Sequence, residues 1–458
     1  MEKSVSKAIE NASGNSKSYW LPMLIIGALF FIFGFVTWLN GTLIQFLQTA
    51  CELTPFEASL VTLAFYIAYF FMALPSSFVL RRTGYKNGMA LGLIIMAIGS
   101  VIFIPAAYSR MFGVFLTGLF VMGTGLALLQ TAVNPYVTII GPNESAAARI
   151  SIMGICNKLA GFISPLVLTA LVMHGMDKYT EDKLSLLDQI QKNAALNELA
   201  ARLVGPYIIM AIALVLLGVM IKFSALPNKL DIDEDPDDSL AGFIKEIPQA
   251  LKIPHLTLGF IGLFLYVGIE VIAGDSIGQY GKNLGLEFAP KLTSFTMAFM
   301  VIGYIIGIVL IPKYVKQATA LRFSAIFGLI FSAGAIFSDE VKTNVFNSLF
   351  GWLNSIGLNI PVLPNSIFFV ALLGLANALM WPSFWPLILN DLGKFTKMAS
   401  ALLVMGIIGG ALIPPAYVAL SQKIGFQPSL WIAIPIYLYI LYYAVQGYKT
   451  GLKGNHLR

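Results

Sequence analysis

The chain has 458 residues, 57% of them hydrophobic and 11% charged, whereas soluble domains carry about 25% charged residues. A chain of this composition is dissolved in lipid, not in water. Its net charge of +6 is spread over loops and forms no basic patch, so a nucleic-acid partner is excluded. Its two cysteines, Cys51 and Cys156, stand in different segments without ligand-type neighbours, so no disulfide framework, metal site or cofactor is expected.

Residues 1–20 form a polar tail with no cleavable signal pattern. Twelve apolar runs follow, each about 20 residues or longer, enough to span a bilayer as a helix. They begin near Leu21, Phe56, Asn87, Phe112, Arg149, Pro206, His255, Leu292, Leu321, Ser366, Met398 and Ser429. The predicted fold is an all-α polytopic membrane protein, with twelve transmembrane helices in two pseudo-symmetric six-helix bundles. A charged linker at 228–254 separates a first bundle at 21–227 from a second at 255–447, and a short tail covers 448–458. Pro135, Gly154 and Pro165 in the first half are echoed by Pro386, Gly406 and Pro415 in the second, at spacings of 19 and 30 residues against 20 and 29. With both termini in the cytoplasm, inside segments hold 19 Lys and Arg and outside loops 9. The positive-inside bias therefore puts both ends inside. Two outside loops, 184–203 and 345–356, carry leucine or aromatic stripes. They read as helices lying on the outer membrane surface, or equally as a packed extracellular cap.

Lys158 is the residue that most needs an explanation. It stands in mid-run among apolar neighbours, where an ammonium costs about 2.5–3.5 kcal/mol on insertion scales. It shares its helix with a small-residue stripe, Ser151, Gly154, Gly161 and Pro165, which allows close approach by another helix or by a substrate. Glu270 and Asp275 lie about midway along the seventh run and five positions apart, hence about 140° apart around a regular helix. Either is a candidate partner for Lys158 across the two halves and a candidate for ion coupling or substrate contact. Asn40, Gln45 and Gln48 in the first run, with Gln130 and Asn134 in the fourth, supply neutral hydrogen-bond donors and acceptors within the spans. The same amides also bond helices to one another in membranes. Asn377, Trp381 and Trp385 recur every four residues on the tenth run, which places an amide and two aromatic rings on one helical face. No His/Glu metal cluster and no nucleophile-and-base pair falls in the spans, so a membrane enzyme or sensor is not expected.

These residues resemble the major facilitator superfamily, and within it the fucose permease-like sugar symporters. The resemblance runs from about Leu21 to Tyr443. It rests on Asn40, on the Gln-Thr-Ala-Val-Asn-Pro-Tyr-Val-Thr stretch from Gln130 to Thr138, and on Tyr-Val-Gly-Ile-Glu ending at Glu270. Pro382 to Pro386 and Met-Gly-Ile-Ile-Gly-Gly from Met405 extend it. Asn157-Lys158 and the segment from Glu270 to Asp275 look most like the bacterial N-acetylglucosamine and glucose permeases of that family. The resemblance implies a sugar importer working as a monomer by alternating access, with Asn40, Gln130, Asn134, Asn157, Lys158, Glu270, Asn377, Trp381 and Trp385 near the sugar. It also implies that Arg81, Arg82 and Lys86 form a gating loop. Fucose permease carries an Asp directly after the first-helix Asn and a Glu at the position of Gln130; here they are Gly41 and Gln130, and neither titrates. The resemblance therefore supports a hexose or N-acetylhexosamine more strongly than it supports a coupling ion. Protons are the leading expectation, and sodium symport or uniport the alternative.

Overall fold

Hydrocarbon offers backbone N–H and C=O groups no partner, so apolar runs of this length must bond internally as helices. The computed structural model describes residues 20–139, 146–224, 226, 247–311, 314–357 and 360–451, and every element in them is helical. Among the described residues, twelve helices are long and apolar enough to cross a membrane. They are α1 Leu21–Ala50, α2 Pro55–Leu80, α3 Tyr85–Ser109, α4 Phe112–Asn134, α5 Arg149–Val172 and α6 Gln189–Phe223, then α7 Pro254–Asn283, α8 Ala289–Leu310, α9 Gln317–Phe337, α10 Asn365–Leu389, α11 Met398–Ile424 and α12 Phe426–Val445. Local chemistry sets several boundaries. Thr54 and Glu57 form a reciprocal capping box ahead of α2, with Pro55 in the first turn. Gly84, at φ 79°, makes the turn from α2 into α3, a conformation that suits glycine. The N-terminal tail, most of the 228–254 linker with its acidic run, and the end of the C-terminal tail lie outside the described residues.

The helices pack as two bundles of six. In the first, glycines of α3 and α4 face each other, and an added Cβ on Gly99 would sit 2.8 Å from the Gly118 carbonyl. Small residues let the backbones approach where lipid supplies no hydrophobic drive. The bundles meet along α2 against α11 and α5 against α8, with α1 crossing onto α7. A shift of six helices interchanges the first two pairs, as a pseudo-two-fold relation between the halves requires.

The two amphipathic loops differ. Residues 181–203 pack as a cap on the first bundle, while Leu186, Leu187 and Ile190 stay exposed. Leu184, Leu196, Leu199 and Leu203 are buried, and the helix Gln189–Ala201 packs on α1 and α3. Lys192 and Arg110 both pair with Glu52, at 2.6 and 3.2 Å. The Lys192 hydrogen bond holds the Glu52 carboxyl below its ordinary range, against the opposing effect of partial burial. The second loop is split between its two readings. In the helix Asn344–Ser355, Phe346 and Phe350 pack on Phe299 and Phe368, while Leu349 and Trp352 stay exposed.

Candidate functional site

Lys158 reaches across the bundle interface. Its Nζ donates to Glu270 Oε1 at 2.8 Å, and each side chain is only 9% exposed. First-bundle cation and second-bundle carboxylate thus form one buried pair, as the sequence suggested for one of the two acids. The ammonium also lies 4.2 Å from the centroid of the Trp38 ring. A desolvated cation–π contact of this kind is worth about 2 kcal/mol.

Trp38 was not apparent from the sequence, yet it organises the site. Its indole fills the space left by two missing side chains. A Cβ on Gly161 of α5 would meet Trp38 at 2.6 Å, and one on Gly274 of α7 would collide with the same ring. Met297, Met300, Tyr304 and Ala378 complete a small cluster around it. The indole Nε1 donates to Asn157 Oδ1 at 3.4 Å. The stripe of small residues on α5 therefore serves close helix contact: Gly161 takes Trp38, and Gly154 lies under Tyr304 of α8. The available signal was an indole two residues before Asn40, with glycines on other runs that needed a large partner. Trp38→Phe keeps a ring face for Lys158 and is expected to retain most uptake in liposomes. Trp38→Ala opens a cavity costing about 3–5 kcal/mol, and uptake should be lost. Equal uptake by both variants and wild type would remove the assignment.

α7 is not a regular helix at this depth. Ile272–Ser276 is a π-helical segment, which alters the regular-helix phase assumed between Glu270 and Asp275. Thr296 and Thr293 of α8 donate to the Ala273 and Gly274 carbonyls at 2.7 and 2.6 Å, occupying acceptors within the widened turn. Asp275 is fully buried, and no side-chain donor reaches either carboxylate oxygen; the backbone N–H of Gly41 is the donor that approaches it. It lies against Gly41 of α1. Glu270 is paired and Asp275 is not, so the two acids have separate environments.

The predicted amides fall into three groups. Asn157 donates to the Phe30 carbonyl at 3.5 Å, and Gln130 lines a cavity of about 10 Å³ with Phe30, Phe33 and Val133, so both flank the same stretch of α1. Asn40 Nδ2 and Gln130 Oε1 are buried and have no partner, while Asn134 is half-buried. Gln45 and Gln48 are used elsewhere. Gln45 donates to the Ala289 carbonyl at 3.4 Å, and Gln48 accepts from Lys282 at 3.0 Å. These bonds close the end of the interface opposite the 228–254 linker, the far end, together with Thr42 to the Pro290 carbonyl at 2.9 Å and Gln279 to the Pro55 carbonyl at 3.1 Å.

Asn377, Trp381 and Trp385 all lie on α10, which makes a two-residue turn at 378–379 between Asn365–Asn377 and Met380–Leu389. Asn377 is buried and accepts from Tyr437 at 2.8 Å, leaving its Nδ2 without a partner. Trp381 and Trp385 pair beyond the turn, ring centroids 5.6 Å apart, with the Trp385 Nε1 free. In the predicted gating loop, Arg82 is exposed and Lys86 donates to the Ser224 carbonyl within the first bundle; the Arg81 side chain lies outside the described residues.

Twelve membrane-crossing helices in two bundles, with ionisable side chains shielded between them, make the architecture of a secondary transporter. Residues 26–394 match the Major Facilitator Superfamily, and the chain belongs to that superfamily. It is similar to a glucose/galactose transporter of Brucella abortus, 31% identical over 445 residues covering 96% of this chain and 98% of the relative. It is also similar to the L-fucose-proton symporter of Escherichia coli, 26% identical over 427 residues, or 92% of each. The solved outward conformation of that fucose transporter superposes with a TM-score of 0.72 at 24% identity, covering 93% of this chain and 99% of the other. That superposition bears on the fold.

Proposed function

We propose that the protein imports a sugar, a hexose or N-acetylhexosamine, across a bacterial cytoplasmic membrane by alternating access driven by protons. The observation that carries this reading is the ion pair between bundles, Lys158 with Glu270, beside the buried carboxyl of Asp275, with which no cation pairs. An ion pair across a rocking interface differs between states, because opening either side changes its solvation and its distance. A carboxyl wetted from one side can bind a proton there, hold it while the site is dry, and release it when wetted from the other side. Each proton carried inward gains about 2.3 kcal/mol per 100 mV of membrane potential.

The sugar would occupy the wet form of the same interface. Asn40 Nδ2, Asn377 Nδ2 and Trp385 Nε1 offer donors, and Gln130 Oε1 offers an acceptor, all without partners at present. Hydroxyls, which both donate and accept, satisfy such a mixed set. The relatives named for glucose, galactose and fucose support this substrate class. Both termini lie in the cytoplasm on this reading, and Arg82 and Lys86 belong to the inner face, as the distribution of positive charge favours. The protein acts as a monomer in the bilayer.

The test is purified protein in liposomes with an imposed pH gradient and a panel of competing sugars. Uptake should follow the inward proton gradient and ignore sodium. Uptake that ignores the pH gradient and follows sodium would replace the proton with sodium, a reading favoured by the absence of an acid at Gly41 and Gln130. Equilibration driven by neither ion would mark a uniporter.

A further inference from the structure

We infer that Gly41 is a positioning residue for coupling: it is the lid that keeps the Asp275 carboxyl dry while the far end is closed. This rests on the reading of Asp275 as the proton carrier. An added Cβ on Gly41 would stand 3.3 Å from Asp275 Oδ1 and 3.3 Å from its Cα, and 2.5 Å from Thr293 Oγ1. Residue 41 therefore has room for a backbone and nothing larger. The lid is strapped down by its neighbours on α1, since Thr42 and Gln45 bond the Pro290 and Ala289 carbonyls at the start of α8. Beneath it, Asp275 has no water access and no side-chain donor, and the Gly41 backbone N–H is the donor that approaches it. The titratable groups whose charges reach it are Lys158 from α5, Glu270 from its own helix and Tyr66 from α2. Opening the far end lifts Gly41 together with α1, and the carboxylate can then take a proton from water on that side. Closing it returns the carboxyl to a dry seat, so the far side reaches Asp275 only through the movement of α1.

The experiment uses two readouts on reconstituted full-length protein. The first places a reporter, Asp275→Cys in a Cys51→Ser, Cys156→Ser background, and measures its modification by a membrane-impermeant methanethiosulfonate. Adding Gly41→Ala is expected to speed modification about tenfold, the size of a modest shift between closed and open populations. The second keeps Asp275 native and follows sugar-independent collapse of an imposed pH gradient. Gly41→Ala should leak protons about tenfold faster than wild type, and adding Asp275→Asn should stop the leak. Thr42→Ala with Gln45→Ala loosens the strap without adding bulk, and should leak likewise even where Gly41→Ala folds poorly. Thr293→Ala makes room for the new methyl, and in the Gly41→Ala background it should return both readings toward wild type. Unchanged modification and no leak in either loosened protein would overturn the lid, as would a leak that survives Asp275→Asn. Those outcomes leave the role of Asp275 in accumulation to be decided by Asp275→Asn alone.

Discussion

Lys158→Ala is expected to abolish sugar accumulation and to destabilise the protein together. The substitution strands the Glu270 carboxylate, 9% exposed, without its 2.8 Å partner. Breaking a buried pair by removing one member typically costs about 3–5 kcal/mol, because the remaining charge keeps its desolvation penalty. The cation–π contact to Trp38 disappears as well. Stability and transport should separate when both charges are removed. Lys158→Met with Glu270→Gln leaves no buried charge, and replacing such a pair by neutral side chains is often close to neutral for stability. The double variant should therefore melt near wild type in detergent while still failing to accumulate sugar. If the double variant transports normally, the pair only fixes helix packing and the functional assignment is lost. If Lys158→Ala melts and transports as wild type, the pair contributes to neither.

Hydropathy located the helices because a membrane span needs only length and apolar character, and both are local properties. Each of the twelve runs begins close to its observed helix, as with Leu21, Phe112, Arg149 and Met398, which start theirs; the exception is α6, which begins at Gln189 because the cap helix runs into it. The cost of a buried ammonium likewise singled out Lys158, and opposite charge limited its partners to the acids of the seventh run. What stayed hidden depends on backbone irregularity and on who meets whom. The π-helical segment at Ile272–Ser276 has no strong residue signal, and it alters the face that a regular 3.6-residue repeat assigns. Gln45 and Gln48 could not be sorted from Asn40 by chemistry, because an amide that suits a sugar hydroxyl suits a backbone carbonyl equally. Trp38 looked like one more apolar residue. Its place follows from Gly161 and Gly274, more than 100 positions away in sequence, and only packing brings them together. The 184–203 loop carried a leucine stripe that lipid or protein could have covered; Leu184, Leu196, Leu199 and Leu203 are covered within the protein and Leu187 is not.

Asp275→Asn should uncouple the transporter rather than break it. Asparagine has nearly the volume and shape of the acid, so the close fit under Gly41 and beside Thr293 is preserved. The residue that is lost is the titratable one. Accumulation driven by an inward proton gradient should fall to equilibration, whereas exchange of labelled for unlabelled sugar, which moves no net proton, should stay within about threefold of wild type. A threefold change corresponds to about 0.7 kcal/mol, less than one buried hydrogen bond to a charged group. The pH dependence separates the two acids. If Asp275 carries the proton, exchange by Asp275→Asn should be flat with pH, because loading no longer waits for protonation, while Glu270→Gln should remain pH-sensitive with weakened sugar exchange. The opposite pattern would move the proton to Glu270, with Lys158 as the group that sets its charge. Loss of exchange in Asp275→Asn would mean that the sugar or helix packing needs the charged acid itself, and the proton would have to be sought elsewhere. Burial without a paired cation is what sets Asp275 apart from Glu270, whose charge is already balanced across the interface by an ammonium at 2.8 Å.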